Sequence, residues 1–228
     1  DSLTHCLARL NEAARFLDFE LEMIVSDASD NDACAEIAGH SGAVVVRCET
    51  RGRGQQLNAG ADLATGDILL FNHADTELTA PHLRGLVDAM KVDGIIGGAF
   101  YRDLAWQYPA LAWLDPWVRA CTRRWGILYG DQSVFATREA FAAMGCFAAI
   151  PIMEDVDFSD RLRKRGAIGA IVLVDPPLRT SMRRFKKRGY LRNKLQNVCI
   201  VWMWRLRLVT PEQIYRWYYR KSPGGSKP

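Results

Sequence analysis

Six short polar clusters in this sequence hold residue types able to grip a phosphate, bind a metal ion or move a proton. They are Asp27 with Ser29, Arg51 with Arg53, Gln56 and Asn58, His73 with Asp75, Gly130-Asp131-Gln132, Glu154-Asp155, and Arg183-Arg184. Each falls at the end of a predicted strand or in a loop. His73-Ala74-Asp75 is the most telling, because it follows the apolar run Ile68-Leu69-Leu70-Phe71. That run is too short for a normal helix and is bounded by Gly66 and Asn72. It reads as a buried central strand of a parallel sheet, covered on both faces. Ligands of open α/β sheets bind outside the carboxyl ends of such strands. An imidazole and a carboxylate two residues apart at that end suit a hard cation that holds a phosphate.

Singly, each cluster has a plainer explanation. Asp75 could cap the next helix, and Asp27 with Ser29 could form an Asx turn. Glu154 and Asp155 could be first-turn carboxylates favoured by a helix dipole. Arg51 could be a solvated charge, and Arg183-Arg184 belongs to a wider basic run.

The elements that would position these residues follow from periodicity. Leu3, Leu7, Leu10, Ala14 and Leu17 recur at helical spacing, which predicts a helix over 2–16. Strands are predicted at 21–25, 43–46, 68–71, 94–100, 134–136 and 168–174. Helices are predicted from the turn after Asp32 to Ala38, from Gly52 and Gly54 to Ala64, over 80–91, 109–124 and 138–144, and from the segment Ile150–Asp157 to Arg165. The alternation up to Phe100 is the pattern of a doubly wound α/β sheet with helices on both faces. Residues 1–178 are expected to form the catalytic domain. Residues 179–221 are expected to be a basic helical appendage with helices over 187–206 and 211–221, and 222–228 a disordered tail.

At 228 residues the chain has room for one domain with an appendage. The six cysteines, with no Cys-x-x-Cys pair, fit neither a zinc site nor a disulfide scaffold and favour reduced thiols in the cytoplasm. No secretory signal opens the given chain, and no apolar run is long enough to span a membrane. The net charge of +4 is unevenly distributed. Residues 1–178 hold 16 Lys and Arg against 25 Asp and Glu, whereas 179–228 hold 14 against one. The acidic part suits a site that needs cations, and the basic part suits an anionic partner.

In order along the chain, the clusters resemble the motifs of the family-2 glycosyltransferases, the inverting enzymes of GT-A fold. The matching segments are Val25-Ser26-Asp27-Ala28-Ser29-Asp30, Arg51 to Gly60, Gly66 to Asp75, Gly97-Gly98-Ala99-Phe100, Tyr129-Gly130-Asp131-Gln132, Met153-Glu154-Asp155-Val156, and Ser181 to Phe185. The branch most similar is the radical-SAM/selenodomain-associated group. The resemblance implies a nucleotide-sugar donor, UDP- or GDP-linked, and Mg²⁺ or Mn²⁺ as cofactor. Asp27, Ser29, Arg51, Asn58 and Ala74 would bind the donor nucleotide. Asp75, with His73, would hold the metal. Gly130, Asp131, Gln132 and Glu154 would line the acceptor side, Asp155 would be the catalytic base, and Arg184 would contact phosphate.

The chemistry makes matching demands. A departing nucleoside diphosphate gains negative charge, which a metal ion and a nearby Arg offset. An acceptor hydroxyl is a poor nucleophile and needs a carboxylate to take its proton. One base without an enzyme nucleophile gives direct displacement with inversion. The sequence departs from the family at several points. His73 stands where the first Asp of an Asp-x-Asp motif would be. Ser181 and Phe185 replace Gln and Trp of the processive relatives, which argues against a polymerase. The given chain begins in the helix after the family's first strand.

The basic appendage interleaves Arg205, Arg207, Arg216 and Arg220 with Trp202, Trp204, Trp217 and Tyr218. That mixture suits an anionic membrane surface, and with it a lipid-linked acceptor and a peripheral site on the inner face of the membrane; it suits equally aromatics packed under the sheet as core with solvated charges. Nucleic acid is the weaker partner, since no recognised module accompanies the charge. The rival functions are a nucleotidyltransferase of similar fold and a non-catalytic module that binds membrane or nucleic acid.

Overall fold

The structure, a computed structural model, describes residues 2–103, 109–125, 127–166, 169–179 and 190–220. Helices and strands alternate through the first half: α1 (Ser2–Ala14), β1 (Ile24–Asp27), α2 (Ala33–His40), β2 (Val44–Arg47), α3 (Arg53–Leu63), β3 (Ile68–Phe71), α4 (Ala80–Met90) and β4 (Gly97–Arg102). A 3-10 segment, Pro109–Leu114, leads into α5 (Asp115–Trp125). A short 3-10 turn, Gly130–Gln132, precedes β5 (Val134–Thr137), α6 (Arg138–Ala143), α7 (Glu154–Arg165) and β6 (Ile171–Leu178). Helices α8 (Tyr190–Arg205) and α9 (Pro211–Arg220) close the chain.

The strands form two sheets. β1 and β2 pair in parallel, with Asp27 opposite Arg47. The other four lie in the order β3-β5-β4-β6. Here the sequence reading needs correction. β3 is not the centre of a parallel sheet. It lies at one end of the four-stranded sheet and pairs antiparallel with β5, which also runs antiparallel to β4. Only β4 and β6 are parallel in this sheet. An apolar run records burial but not the direction of its neighbour.

Both faces of the sheet are covered, and the side-chain alternation of the strands sorts residues between them. Phe135, Phe100 and Val174 point to the side of α1 and α4, where they meet Leu78, Leu83 and Leu86. Val134, Ala136, Ala99 and Leu69 point to the opposite side, against Phe141, Phe147, Phe158 and Leu162 of α6, α7 and the loop between them. Each fully buried Phe or Leu contributes about 2 kcal/mol of transfer free energy. The β1–β2 sheet is held by a smaller cluster in which Leu7 of α1 and Ala38 of α2 pack with Val25 and Val45.

The centre of the sheet is tight at Gly98. A Cβ there would stand 2.0 Å from the Val172 carbonyl oxygen and 2.8 Å from the Phe135 ring. Gly98→Ala must therefore push β6 away from β4, and is expected to destabilise the protein by about 3 kcal/mol. A lowered urea midpoint at unchanged slope would show it.

Candidate active site

The turn after β3 is built by one side chain. Asn72 donates to the Thr76 carbonyl at 3.2 Å and accepts from the Ser133 hydroxyl at 2.6 Å. The Thr76 amide closes the turn on the His73 carbonyl at 2.9 Å. His73, Ala74 and Asp75 are thus presented at the strand's carboxyl end, with Ala74 and Asp75 exposed. Asp75 does not cap α4. That helix takes Thr79 as its N-cap, in a capping box with His82.

Asp155 arrives from the other direction, on the first turn of α7. The residue before this helix, Met153, has φ 75°, a left-handed conformation that costs a side-chain-bearing residue about 1 kcal/mol or more. This backbone turn sets Glu154 and Asp155 on different sides. Asp155 Oδ2 accepts the Gly130 amide at 2.8 Å, and its Oδ1 accepts the Val156 amide at 2.8 Å. A Cβ on Gly130 would lie 3.0 Å from His73 Nε2 and 3.5 Å from Asp155 Oδ2. The end of β3 and the start of α7 therefore meet at Gly130. Under that junction Phe71 of β3, Phe158 of α7, Phe141 and Phe147 pack as one group, with ring centroids 4.6–6.5 Å apart.

Glu154 is buried and faces Arg53 at 3.3 Å. Burial, and then the adjacent charge of Asp155, raise its carboxyl above the ordinary value, and Arg53 only partly opposes them. A carboxyl raised in the folded state binds its proton more tightly there than in the unfolded chain. Its stabilising contribution is full below the ordinary value of 4.5 and is lost as pH rises through the folded one. Glu154→Gln, always neutral, should therefore gain stability relative to the parent as pH climbs above 4.5. Urea unfolding of both proteins across that range tests this, and parallel curves would refute it.

Asp27 is buried at the end of β1. Its Oδ1 accepts the Ser29 amide at 2.9 Å, while Oδ2 accepts the Ser29 hydroxyl at 3.0 Å and Arg47 Nη1 at 2.6 Å. Burial alone would raise its carboxyl. The Ser29 hydrogen bonds and the Arg47 charge outweigh that and hold it below the usual range. Arg47 also reaches the Asn31 carbonyl at 2.8 Å and Asp32, so it ties down the whole loop after β1. Arg51 pairs with Asp30 on the same rim.

A cavity of about 860 Å³ joins the loop after β1 to the start of α7; His73, Asp75, Gly130 and Asp131 are not among its lining residues. Its lining groups Asp27, Ser29 and Arg51 of the β1 loop and the turn before α3, Arg53 with Glu154 and Asp155, and an aromatic part made of Tyr129, Asn197, Tyr215 and Tyr218. The aromatic part is furnished by α8 and α9, held to each other by the Tyr218 hydroxyl, which donates to Asn197 at 3.0 Å. Arg205 grips Asp160 of α7 at 3.0 Å and fixes α8 to the catalytic body.

Several residues singled out in the sequence lie elsewhere. Asn58 is not in the cavity lining. Its amide exchanges two hydrogen bonds with the backbone of Phe147, each 2.9 Å, and clamps α3 to the loop before α7. Gln132 is buried with its side chain spent on the Phe100 carbonyl at 3.0 Å and the Tyr129 amide at 3.1 Å. Both have the polarity of ligand-binding residues but satisfy backbone groups that burial would otherwise leave unpaired. Asp131 pairs with Arg102, which also lies 5.1 Å from the Tyr129 ring centroid. Ala74 is exposed between the two metal-ligand candidates, outside the cavity lining. Arg184 lies outside the described residues.

Arg47 and Asn72 were missed. The first looked like an ordinary strand end, and the second like a boundary polar residue. Arg47 stands opposite Asp27 in parallel register, which strand pairing could have revealed.

Among the described residues no three His, Cys, Asp or Glu side chains converge as a ready metal cage. His73 and Asp75 offer two donors, which fits a cation that takes the rest of its shell from a diphosphate and water. Burial, and then the charge of Arg53, lower the His73 imidazole below its usual value against the pull of Asp131, Asp75 and Asp155. That favours the neutral ring, the form that ligates metals.

A mixed sheet flanked by helices, with a cleft that gathers acids at strand and helix ends, is the GT-A architecture, and this protein is a glycosyltransferase. The chain belongs to glycosyl transferase family 2, whose family model matches residues 1–150. Its fold is similar to that of glucosyl-3-phosphoglycerate synthase from Mycobacterium tuberculosis in complex with Mn²⁺, UDP and glucosyl-3-phosphoglycerate. The TM-score is 0.64 at 19% identity, over 90% of this chain and 76% of that one. The same enzyme with Mn²⁺, UDP-glucose and phosphoglyceric acid matches at TM-score 0.60 and 21% identity, over 81% of this chain and 69% of the other. Among curated proteins no match is found.

Proposed function

We propose that this protein moves a sugar from a UDP- or GDP-sugar to a hydroxyl acceptor with inversion, using Asp155 as base and a divalent cation on the donor diphosphate. The observation that carries this reading is the meeting of His73 and Asp155 at Gly130, beside a cavity whose lining includes both Asp155 and Asp27. In this reading Asp27, Ser29 and Arg51 hold the nucleotide. Asp75 and His73 would hold Mg²⁺ or Mn²⁺, which supplies Lewis-acid stabilisation of the leaving diphosphate. Arg53 adds a fixed positive charge to the cleft lining. The acceptor enters at Tyr129, Gly130 and Asp131, and Asp155 takes its proton as the new bond forms.

The motif set supports a place in the radical-SAM/selenodomain-associated branch. Residues 1–178 form the catalytic unit in this reading, with 179–221 as its appendage. No described helix is long and apolar enough to cross a membrane. The free thiols of Cys6, Cys34, Cys48, Cys146 and Cys199 support a reducing, cytoplasmic setting. The aromatic part of the cavity supports an acceptor with an apolar body, such as a lipid-linked one at the inner face of a membrane.

Calorimetry with UDP and GDP, each with and without Mn²⁺, tests the donor. Metal-dependent binding of one nucleotide is expected, and the absence of binding to either would end the proposal. A screen of nucleotide-sugars for donor hydrolysis then identifies the sugar.

A further inference from the structure

The second half of helix α8 carries apolar residues on two sides. Asn197, Ile200, Val201 and Trp204, spaced three and four apart, face the cleft and the cluster formed with Val156, Val209 and Ile214. The other side carries Val198, Trp202 and Leu206, four residues apart. These three are exposed, Trp202 at 56% and Leu206 at 62%. Leu208 in the turn that follows and Trp217 of α9 are also exposed. A helix segment that is apolar on two sides normally has cover on both. Here one side has the protein core and the other has solvent.

The charges beside this apolar face are positive. Arg207 is exposed between Leu206 and Leu208, and Arg216 is exposed next to Trp217. The only acidic residue in 179–228 is Glu212. Two copies of the face would set these cations against each other, which opposes self-pairing. A surface of lipid phosphates would match both the apolar stripe and the charge.

We infer that this face docks on an anionic membrane surface. Trp202, Leu206, Leu208 and Trp217 enter the headgroup boundary, and Arg207 and Arg216 meet lipid phosphates. Attachment is peripheral and reversible. Because the inner side of α8 lines the cavity, docking would set the aromatic part of the cleft beside the bilayer. That last link rests on the transferase reading above, whereas the docking face does not.

The test uses the whole chain and sedimentation with vesicles of phosphatidylcholine, alone or with added phosphatidylglycerol. Association is expected with the anionic vesicles and should weaken as salt rises. The double variant Trp202→Ser with Leu206→Ser, both at exposed positions, should bind at least about tenfold more weakly. Arg207→Asn, a residue type that tolerates the left-handed backbone there (φ 57°), should bind about fivefold more weakly. Nucleotide binding by calorimetry should be unchanged in both. No association of the parent protein at low salt would overturn the proposal, as would equal binding by the variants. Self-association removed by the double variant, without vesicle binding, would assign the face to a second copy instead. Vesicle binding without nucleotide binding would keep the docking face and remove the transferase reading.

Discussion

Asp155→Asn is expected to slow sugar transfer about a thousandfold while nucleotide affinity stays within about twofold. The substitution keeps the size of the side chain and removes its charge, its ability to take a proton and one of its two acceptor oxygens. Asp155 sits on the first turn of α7, whereas Asp27 ends β1. The donor nucleotide should therefore not sense the change. One of the two backbone amides that Asp155 accepts, Gly130 or Val156, must lose its partner, at a cost of about 1 kcal/mol. The measurement is turnover of the donor with acceptor present, beside calorimetry and thermal melting of the same protein. Full activity in a folded variant would remove Asp155 as the base and leave Asp131 as the next candidate.

Asp75→Asn is expected to cost about two to three orders of magnitude in the same assay, with a different signature. A cation that neutralises a leaving diphosphate is worth several kcal/mol, and each 1.4 kcal/mol is tenfold in rate. Since the proposed metal site has one carboxylate, Asp75, beside the His73 imidazole, loss of that carboxylate should weaken metal binding before it weakens anything else. Activity titrated with Mn²⁺ should shift to higher metal concentration, and nucleotide binding should lose its dependence on metal. Asp155→Asn should show neither effect. If both variants gave the same profile, the division of labour between the two acids would be wrong.

Much of this arrangement was legible in the sequence. The apolar run Ile68–Phe71 announced a buried strand, and its polar sequel His73-Ala74-Asp75 marked the carboxyl end where ligands gather. The spacing of α1, α3, α4 and α7 was readable within a few residues, because helical periodicity repeats over many positions. The direction of β5 was not, since four apolar residues pack equally well beside a parallel or an antiparallel neighbour. Asn58 and Gln132 misled for a related reason. A side-chain amide has the same donors and acceptor whether it faces a substrate or a buried carbonyl, and only the fold decides. Arg47 escaped because its role depends on register: one residue either way and it would leave Asp27.

The four phenylalanine rings beneath Gly130 bear on how the enzyme moves. Phe71 lies two residues before His73, and Phe158 three residues after Asp155. Their shared packing makes the end of β3 and the start of α7 parts of one stiff unit, because interiors packed to crystal density resist small displacements. Substrate capture must then draw its mobility from the periphery, where exposed Asp30 and Asp32 are tethered by single arginines to the rim of the nucleotide end. Loop ordering on binding, detected as slowed amide exchange at residues 28–32 with the β3–α7 junction unaltered, is the kinetic behaviour such a division entails.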